Sequence, residues 1–217
     1  MYEELKQIAV SSGATAFGAG YVKDLRLHYD ALPLDQTADM SCGISIGARV
    51  SGSVLKGCII GPSRHYLHHY KMLNLLLDQT ALKLSIALQN RGYRALPIPA
   101  SQIVDWEKQT AHLSHKMIAV RAGIGWIGRN NLLVHPEYGS KIRLATVLTN
   151  MPLETDKPIE RDCADCRECI EICPVNAISD AYKNWNKAAC LEKLKYFAKA
   201  HNVGQYICGL CVKVCKP

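Results

Sequence analysis

Eight of the ten cysteines in this 217-residue chain lie close together, between positions 163 and 215. Cys163, Cys166, Cys169 and Cys173 form a C-x2-C-x2-C-x3-C run, and Pro174 follows it directly. Bacterial proteins that hold two [4Fe-4S] clusters carry this run, in which three thiolates bind one cluster and the fourth binds its neighbour. The spacing therefore predicts a pair of cubane clusters and the handling of low-potential electrons.

A second cysteine run supplies the remaining thiolates. Cys208, Cys211 and Cys215 form a C-x2-C-x3-C run, and we assign Cys190 as the eighth ligand. The exchange of ligands between paired clusters predicts one quartet of Cys163, Cys166, Cys169 and Cys215 and another of Cys173, Cys190, Cys208 and Cys211. Two zinc sites are the alternative, because C-x2-C also suits tetrahedral zinc, but a third cysteine at the same spacing is redundant for zinc.

The composition indicates a folded protein, since 48% of the residues are hydrophobic and 21% are charged. Glu3 and Glu4 stand where a secretory signal needs a basic flank, and no run of about 18 apolar residues occurs. We expect a cytoplasmic protein that is not bound to a membrane, in which cysteines bind metal rather than form disulfides. Cys42 and Cys58 lie apart from the others, and we expect them to be buried thiols.

The net charge of +7 is unevenly distributed. Residues 1–150 have 16 Lys and Arg against 10 Asp and Glu, whereas residues 151–217 have 10 against 9. The basic excess could attract an anionic substrate, a phosphate-bearing cofactor or RNA. A solvated basic surface is the plainer interpretation.

A glycine-rich segment at 122–131 could bring backbone close to a ligand. Gly123, Gly125 and Gly128 occur within it, beside Trp126. Such a loop can approach a flat or anionic group, although a helix cap followed by a tight turn would have the same spacing. The segment follows a predicted helix and precedes a predicted strand, which is the reverse of a dinucleotide-binding turn, so the G-x-G-x-x-G pattern does not indicate one.

The elements that must position these residues follow from apolar periodicity. In chain order we predict a helix over 1–12, a half-buried strand over 43–50, a long helix over 63–89, an extended run over 95–101, a helix over 109–122 and a hairpin of 131–134 with 142–149. The periodicity lapses over 151–162, just before the cysteines. We therefore expect one domain over residues 1–152 and a second over 153–217.

The glycine segment, the hairpin with Gly139 and Ser140 and the two cysteine runs together closely resemble epoxyqueuosine reductase, a cobalamin-dependent family that completes queuosine in tRNA. The likeness includes the segments 14–18, 44–47 and 64–70. It implies an α+β fold in which a nitroreductase-like N-terminal domain holds a corrinoid (cobalamin) against a ferredoxin-like double-cluster module, with reductive dehalogenases as relatives. The candidate cofactor-binding residues are Ser101, Gly123, Gly125, Trp126, Gly128, Arg129, Asn130 and Asn131.

The chain departs from that family at the proton donor. The family has an aspartate upstream of the glycine loop, and the ungapped equivalent here is Gln109. We predict that His115 or Lys116 donates the proton instead, because an imidazole titrates near neutrality and reductive chemistry consumes protons. Tyr66 is a further catalytic candidate that could line a pocket together with Tyr70, although packing would explain both tyrosines equally well.

A second departure concerns the substrate. The helical-repeat domain with which the family helps to hold tRNA does not occur in these 217 residues. We therefore expect a short form in which tRNA is a less favoured partner than a small molecule or modified nucleoside. We also expect an external low-potential donor to supply the electrons. The rival hypotheses are a non-catalytic electron carrier or reductive activator of a separate corrinoid protein, and a reductase with flavin in place of the corrinoid.

Overall fold

A computed structural model describes residues 1–29 and 31–216 of the chain. It is a mixed structure of helices and strands, as predicted. The helices are α1 (Tyr2–Ser11), α2 (Gly52–Lys56), α3 (Arg64–Gln89), α4 (His115–Arg121), α5 (Glu168–Glu171), α6 (Lys187–Ala200) and α7 (Leu210–Val214). The strands are β1 (Ala16–Tyr21), β2 (Cys42–Arg49), β3 (Ala95–Ile98), β4 (Trp126–Ile127), β5 (Leu133–Val134) and β6 (Ile142–Thr149).

The larger sheet has the strand order β1–β2–β6–β3. β1 runs antiparallel to β2, and β3 runs antiparallel to β6. The strand predicted over 43–50 is confirmed as β2, but it is not half-buried: every residue from Cys42 to Ala48 is buried. Because β2 lies inside the sheet with both faces covered, the small residues Gly43 and Gly47 and the buried Ser45 alternate with isoleucines rather than facing solvent.

The long helix α3 supplies much of the core. Leu77, Ala81, Leu84 and Leu88 are buried at intervals of three and four residues, which places them on one helix face. They pack with buried residues of α1, β2 and β6. The helix predicted over 63–89 is therefore confirmed, and its end is followed by Gly92 with a positive φ of 80°.

The predicted hairpin is wrong. The strand over 142–149 is confirmed as β6, but it lies between β2 and β3 in the larger sheet. β5 pairs instead with β4, through a turn in which Asn131 has a φ of 57° and its N–H donates to Gly128 O. Because most of β6 is buried, its backbone N–H and C=O groups need partners on both edges, and β2 and β3 supply them.

The helix predicted over 109–122 begins later, at His115. The Asp105 carboxylate accepts hydrogen bonds from the N–H groups of Glu107 and Lys108, and Asp105 also pairs with Thr110 through backbone hydrogen bonds. Gln109 has a φ of 52°, which a right-handed helix does not allow. Local side-chain bonding therefore replaces the first helical turns with a closed loop.

The chain forms two compact units, each built from separate segments. The first unit comprises 1–48, 73–124 and 143–159, and the second comprises 49–72, 125–142 and 160–217. These units are not the contiguous segments 1–152 and 153–217, because two earlier segments pack with the cysteine-rich one. The division into two functional domains stays a prediction. No helix within the described residues is long and apolar enough to cross a membrane.

Candidate metal centre

Four cysteines of the second unit line one cavity of about 680 Å³: Cys163, Cys166, Cys169 and Cys215. Cys169 lies in α5, and Cys215 follows α7 directly. Because α5 packs against α7, the last cysteine of the sequence returns to the first three. These four form the first predicted quartet, and none of them is in a disulfide.

The thiols of this cavity disfavour one another's ionised forms. Burial first, and then the neighbouring Cys215, Cys163 and Cys166, together raise the pKa of Cys169 to about 11. Several thiolates so close together need nearby positive charge, because like charges in a partly dry site repel strongly. A cluster of cationic irons would supply that charge, so the chemistry of this donor set fits a [4Fe-4S] cluster.

The second predicted quartet lies together in the same unit. Burial raises the pKa of Cys208 to about 11, with Cys190 and Cys173 adding to the effect. The pKa of Cys211 is also raised, chiefly by burial and then by the neighbouring Cys208 and Cys190. The thiol of Cys173 accepts a hydrogen bond from the Ala177 N–H at 3.3 Å. Cys169 of the first quartet also raises the pKa of Cys211, and the division of the eight thiols between two clusters stays a prediction.

The arrangement differs from a site for a single ion. Within residues 1–29 and 31–216, no group of three or more His, Cys, Asp and Glu side chains converges on a point as the ligands of one metal ion do. Zinc needs its sulfur ligands at about 2.3 Å from one centre. The preference for a cluster over zinc therefore rests on the cysteine spacing and stays a prediction.

The glycines predicted to cradle a cofactor approach the protein's own backbone instead. A Cβ on Gly125 would lie 2.1 Å from the carbonyl oxygen of Val134, which allows β4 to pair closely with β5. A Cβ on Gly128 would lie 2.5 Å from Val134 Cγ2 and 3.3 Å from Cys163 Sγ. In the first unit, Gly123 has a positive φ and would place a Cβ 2.7 Å from Lys157 O. The three glycines thus allow close approach, but the groups that approach them in the described residues belong to the protein itself.

Arg129 connects the glycine segment to the cysteine loop. Its Nη1 donates to Cys166 O at 2.8 Å, and its Nη2 donates to Ala164 O at 2.7 Å. Its Nε lies 3.5 Å from an Asp180 carboxylate oxygen, and the side chain is only 17% exposed. The planar guanidinium thereby fixes two carbonyls of the loop that carries Cys163 and Cys166.

Asn130 and Trp126 complete this wall of the cavity. The Asn130 amide is buried, donates to Ser140 Oγ at 3.0 Å and accepts from the Leu132 N–H. Trp126 is 5% exposed, and the Arg161 guanidinium carbon lies over it, 5.0 Å from the centroid of the Trp126 ring. Its Nε1 is buried without a hydrogen-bond acceptor among the described residues. An unmet buried N–H costs about 1–3 kcal/mol, and a sulfide of a bound cluster is an acceptor that would remove this cost.

His115, predicted as a proton donor, is engaged inside the first unit. Its Nδ1 is 2.8 Å from Thr146 Oγ1, and its Nε2 is 2.8 Å from Pro99 O. Since Pro99 O can only accept, the ring hydrogen of the neutral form lies on Nε2. Burial lowers the pKa of His115 to about 4. The imidazole is therefore neutral near pH 7 and serves packing in this geometry, which does not support the proton-donor hypothesis.

The remaining predicted residues are dispersed. Lys116 follows His115 on α4 and is half-buried, and Ser101 is exposed; both belong to the first unit. Tyr66 belongs to the second unit, where it is 5% exposed and meets Tyr70 edge to face. A Cβ on Gly209, between Cys208 and Cys211, would lie 2.9 Å from Tyr66 Cε1, so this ring packs beside the second quartet.

Sequence reasoning missed several residues that shape the first quartet. A Cβ on Gly139 would lie 2.6 Å from Cys215 O, and the Lys141 ammonium donates to that same carbonyl. Neither residue stands near a cysteine in the sequence. The only available signal was the Gly139-Ser140 pair within the family resemblance. Cys42 and Cys58 are both buried, which confirms the expectation for the two isolated thiols.

Comparison with solved structures defines the class of fold. A reductive dehalogenase in complex with 3-bromo-4-hydroxybenzoic acid matches 98% of this chain and 31% of its own, with a TM-score of 0.77 and 19% identity. Another such structure addresses B12-dependent dehalogenation. An epoxyqueuosine reductase with an epoxyqueuosine-modified tRNA stem loop matches 87% of this chain and 54% of its own, with a TM-score of 0.58 and 22% identity. This tRNA complex is at odds with our expectation that tRNA is a less favoured partner.

Comparison with curated proteins narrows the likeness to one of these groups. The epoxyqueuosine reductase of Listeria monocytogenes is 39% identical over 115 residues, which are 49% of this chain and 30% of that protein. The epoxyqueuosine reductase of Synechocystis is 32% identical over 154 residues, 67% of this chain and 47% of that protein. No family model matches the chain. The similarity to epoxyqueuosine reductases is thus confirmed, and the matches span about a third to a half of these relatives' length.

Proposed function

We propose that this chain is an iron-sulfur oxidoreductase. Two [4Fe-4S] clusters held by its eight clustered cysteines would pass low-potential electrons to a corrinoid, for the reduction of a modified nucleoside or a small molecule. The observation that carries the proposal is the cavity lined by Cys163, Cys166, Cys169 and Cys215, with a second group of four thiols in the same unit. Sequence similarity to epoxyqueuosine reductases supports the reductase class.

The residues of the chain would hold and shield the first cluster in defined ways. Once bound, a cluster supplies one-electron transfer. Arg129 fixes the carbonyls of Ala164 and Cys166, and Lys141 fixes that of Cys215, so the thiols on both sides of the cavity are held in place. Trp126 covers one side with a buried ring and offers its unpaired N–H as a donor. Donors of this kind to cluster sulfur raise the reduction potential.

The electron acceptor in this proposal is a corrinoid, supported by the solved dehalogenase described as B12-dependent. The glycine segment is already in close contact with the protein on one side. Val134 and Cys163 occupy the space where side chains on Gly125 and Gly128 would stand, and the Arg129 guanidinium is hydrogen-bonded to the cysteine loop.

The deciding experiment is anaerobic purification followed by iron, sulfide and cobalamin analysis. We expect about eight irons per chain and an absorption spectrum typical of [4Fe-4S] clusters. Added cobalamin should bind and change its spectrum. A Cys42→Ala variant is the matched control, since Cys42 is a buried thiol of the first unit and should keep all the iron. Stoichiometric zinc, or iron far below this value, would refute the redox proposal.

A second candidate function is a non-catalytic electron carrier or reductive activator of a separate corrinoid protein. One observation that favours it is that Gln109 stands at the position of the family's aspartate, where its Nε2 donates to Trp106 O. The other is that His115 is neutral and both of its ring nitrogens are hydrogen-bonded. Alanine at His115 and at Lys116 should then leave electron delivery to an added corrinoid protein unchanged. A large loss of substrate reduction in Lys116→Ala, with full cluster content, would instead favour catalysis within this chain.

A further inference from the structure

Two adjacent isoleucines of the second unit point into solvent. Ile59 and Ile60, in the loop between α2 and α3, are 77% and 76% exposed. The residues on either side, Cys58 and Gly61, are buried. A single exposed apolar side chain is ordinary, whereas two neighbouring branched ones on a held loop form a continuous apolar surface.

The loop is fixed from both ends and is not a frayed turn. The Lys213 ammonium donates to Cys58 O at 2.8 Å, and His201 Nδ1 donates to Pro62 O at 3.1 Å. Gly61 lies against Phe197, and a Cβ there would be only 2.8 Å from the phenyl ring. These contacts leave the isoleucines no inward position, so their exposure is a property of the fold.

The exposed pair adjoins the second cysteine quartet. Cys58 Sγ lies 3.1 Å from where a Cβ on Gly209 would stand, and Gly209 lies between Cys208 and Cys211. Only one residue along the chain therefore separates Ile59 from the wall of the second candidate cluster site. An electron arriving at this surface would have a short path into the protein.

The segments that form the loop and contact it are mainly basic. The sequence has no Asp or Glu from residue 40 to residue 77, and none after Glu192. Lys56 and Arg64, which flank the loop, are both exposed. The segment after Glu192, whose Phe197, His201 and Lys213 contact the loop, carries only basic charges. An apolar centre with a basic rim complements a partner that is apolar at its centre and acidic at its edge.

We propose that Ile59 and Ile60, with Lys56 and Arg64, form the docking surface for an acidic one-electron carrier protein of the flavodoxin or ferredoxin class. The inference rests on the proposed function, because clusters at this position need a reductant. Weak redox encounters bury less than about 1,200 Å², so a compact surface of this kind suffices. Nucleic acid is the less suitable ligand, since unpaired bases stack on aromatic rings and the centre here is aliphatic.

The test compares two reductants of the same anaerobic holoprotein. Reduced flavodoxin and reduced methyl viologen are each mixed with the protein, and cluster bleaching is followed by stopped-flow absorbance. Ile59→Asp/Ile60→Asp and, separately, Lys56→Glu should slow the flavodoxin reaction about tenfold or more and leave the viologen reaction unchanged. Raising the salt from about 50 mM to about 500 mM should slow only the flavodoxin reaction. Leu27→Asp, at a 79% exposed leucine of the first unit, is the matched control.

Several outcomes would overturn the proposal. Flavodoxin rates that do not change in Lys56→Glu and the double variant would exclude this surface, as would an equal loss in Leu27→Asp. Loss of tRNA stem-loop binding with unchanged flavodoxin rates would assign the surface to RNA instead. If the wild type holds no cluster that viologen reduces, the proposed function itself fails, and the viologen reaction distinguishes that failure from the loss of docking alone.

Discussion

The Arg129 guanidinium donates to the carbonyl oxygen of Cys166 across 2.8 Å, which links two segments 37 residues apart in the sequence. The same group holds Ala164 O, so one side chain fixes both carbonyls of the tight turn that follows Cys163. Ala164 has a φ of 42°, a left-handed conformation that L-residues adopt only under local constraint. Arg129 thus stabilises the cysteine loop in the form that exposes its thiols to the cavity.

Replacing Arg129 with alanine should loosen the first quartet. The variant loses two charge-assisted hydrogen bonds at a mostly buried position, which should lower the free energy of unfolding by about 2–3 kcal/mol. Iron should fall towards about four per chain as the first cluster is lost. Arg129→Lys should rescue little, because an ammonium cannot hold two carbonyls in the same planar geometry. Anaerobic urea unfolding and iron analysis measure both effects.

Arg167 provides the control for Arg129, because it pairs with the same Asp180 but is 54% exposed. Arg167→Ala removes an exposed ion pair and should change stability by less than about 1 kcal/mol, with iron content unchanged. Equal losses in the Arg167 and Arg129 variants would mean that the Asp180 ion pair, and not the bonds to the cysteine loop, stabilises this region.

The cysteine quartets predict which variants lose the same cluster. Cys215→Ser should remove the first cluster, although Cys211 is its nearest cysteine in the sequence, because Cys215 lines the cavity of Cys163 and Cys169. Cys211→Ser should remove the second. Each variant should keep about four irons per chain. Low-temperature EPR of the reduced protein should show two different residual spectra, and identical residual spectra would contradict the grouping.

The sequence predicted the elements whose patterns are local. The helix Arg64–Gln89 and the strands Cys42–Arg49 and Ile142–Thr149 follow from apolar spacing within each segment. Strand partners depend on distant segments, so the expected hairpin failed when β6 paired with β2 and β3. The helix start at Gln109 failed for a different reason, since the Asp105 carboxylate captures backbone N–H groups that a helix would otherwise use.

The candidate site was predictable to the same extent. Ligand exchange between paired clusters is built into the cysteine spacing, so the grouping of the thiols could be expected. The contact between the glycine segment and the cysteine loop could not be predicted, because Cys163 lies 35 residues beyond Gly128 and no periodicity indicates such a contact. The sequence likewise favoured His115 as a proton donor, because it does not show that both ring nitrogens are hydrogen-bonded to Thr146 and Pro99.

His115 should make stability depend on pH. Its pKa is about 4 in the folded protein, against about 6.5 in an unfolded chain, so the unfolded state takes up the proton first as the pH falls. The contribution is fully present above about pH 6.5 and is lost as the pH falls towards about 4. Between pH 7 and pH 5 the free energy of unfolding should fall by about 2 kcal/mol from this group.

A His115→Gln variant isolates that contribution. Its amide can still donate to Pro99 O and accept from Thr146 but does not titrate, so its stability should fall by about 2 kcal/mol less than that of the wild type over the same range. Urea unfolding at both pH values measures the difference. His68→Gln, at an exposed residue of α3, should behave as the wild type does. An unchanged pH dependence in His115→Gln would mean that another group controls it.

Two glycines should separate the clusters by mutation without touching a cysteine. Gly139 has a φ of 61° and would place a Cβ 2.6 Å from Cys215 O, so Gly139→Ala should displace the first quartet. Gly209 has a φ of 88° and would place a Cβ 2.9 Å from Tyr66 and 3.1 Å from Cys58 Sγ, so Gly209→Ala should displace the second. Each change combines a left-handed backbone with overpacking and should cost about 2–3 kcal/mol.

Each of these glycine variants is the control for the other, and Gly52→Ala controls for the substitution itself. Gly52 begins α2, and a Cβ there meets no atom within 4 Å, so alanine should be neutral or stabilise by up to about 1 kcal/mol. The Gly139 variant should keep the EPR spectrum that Cys215→Ser keeps, and the Gly209 variant the spectrum that Cys211→Ser keeps. If both glycine variants lost the same spectrum, the two quartets would not be separate sites, because a steric change confined to one would have reached the other.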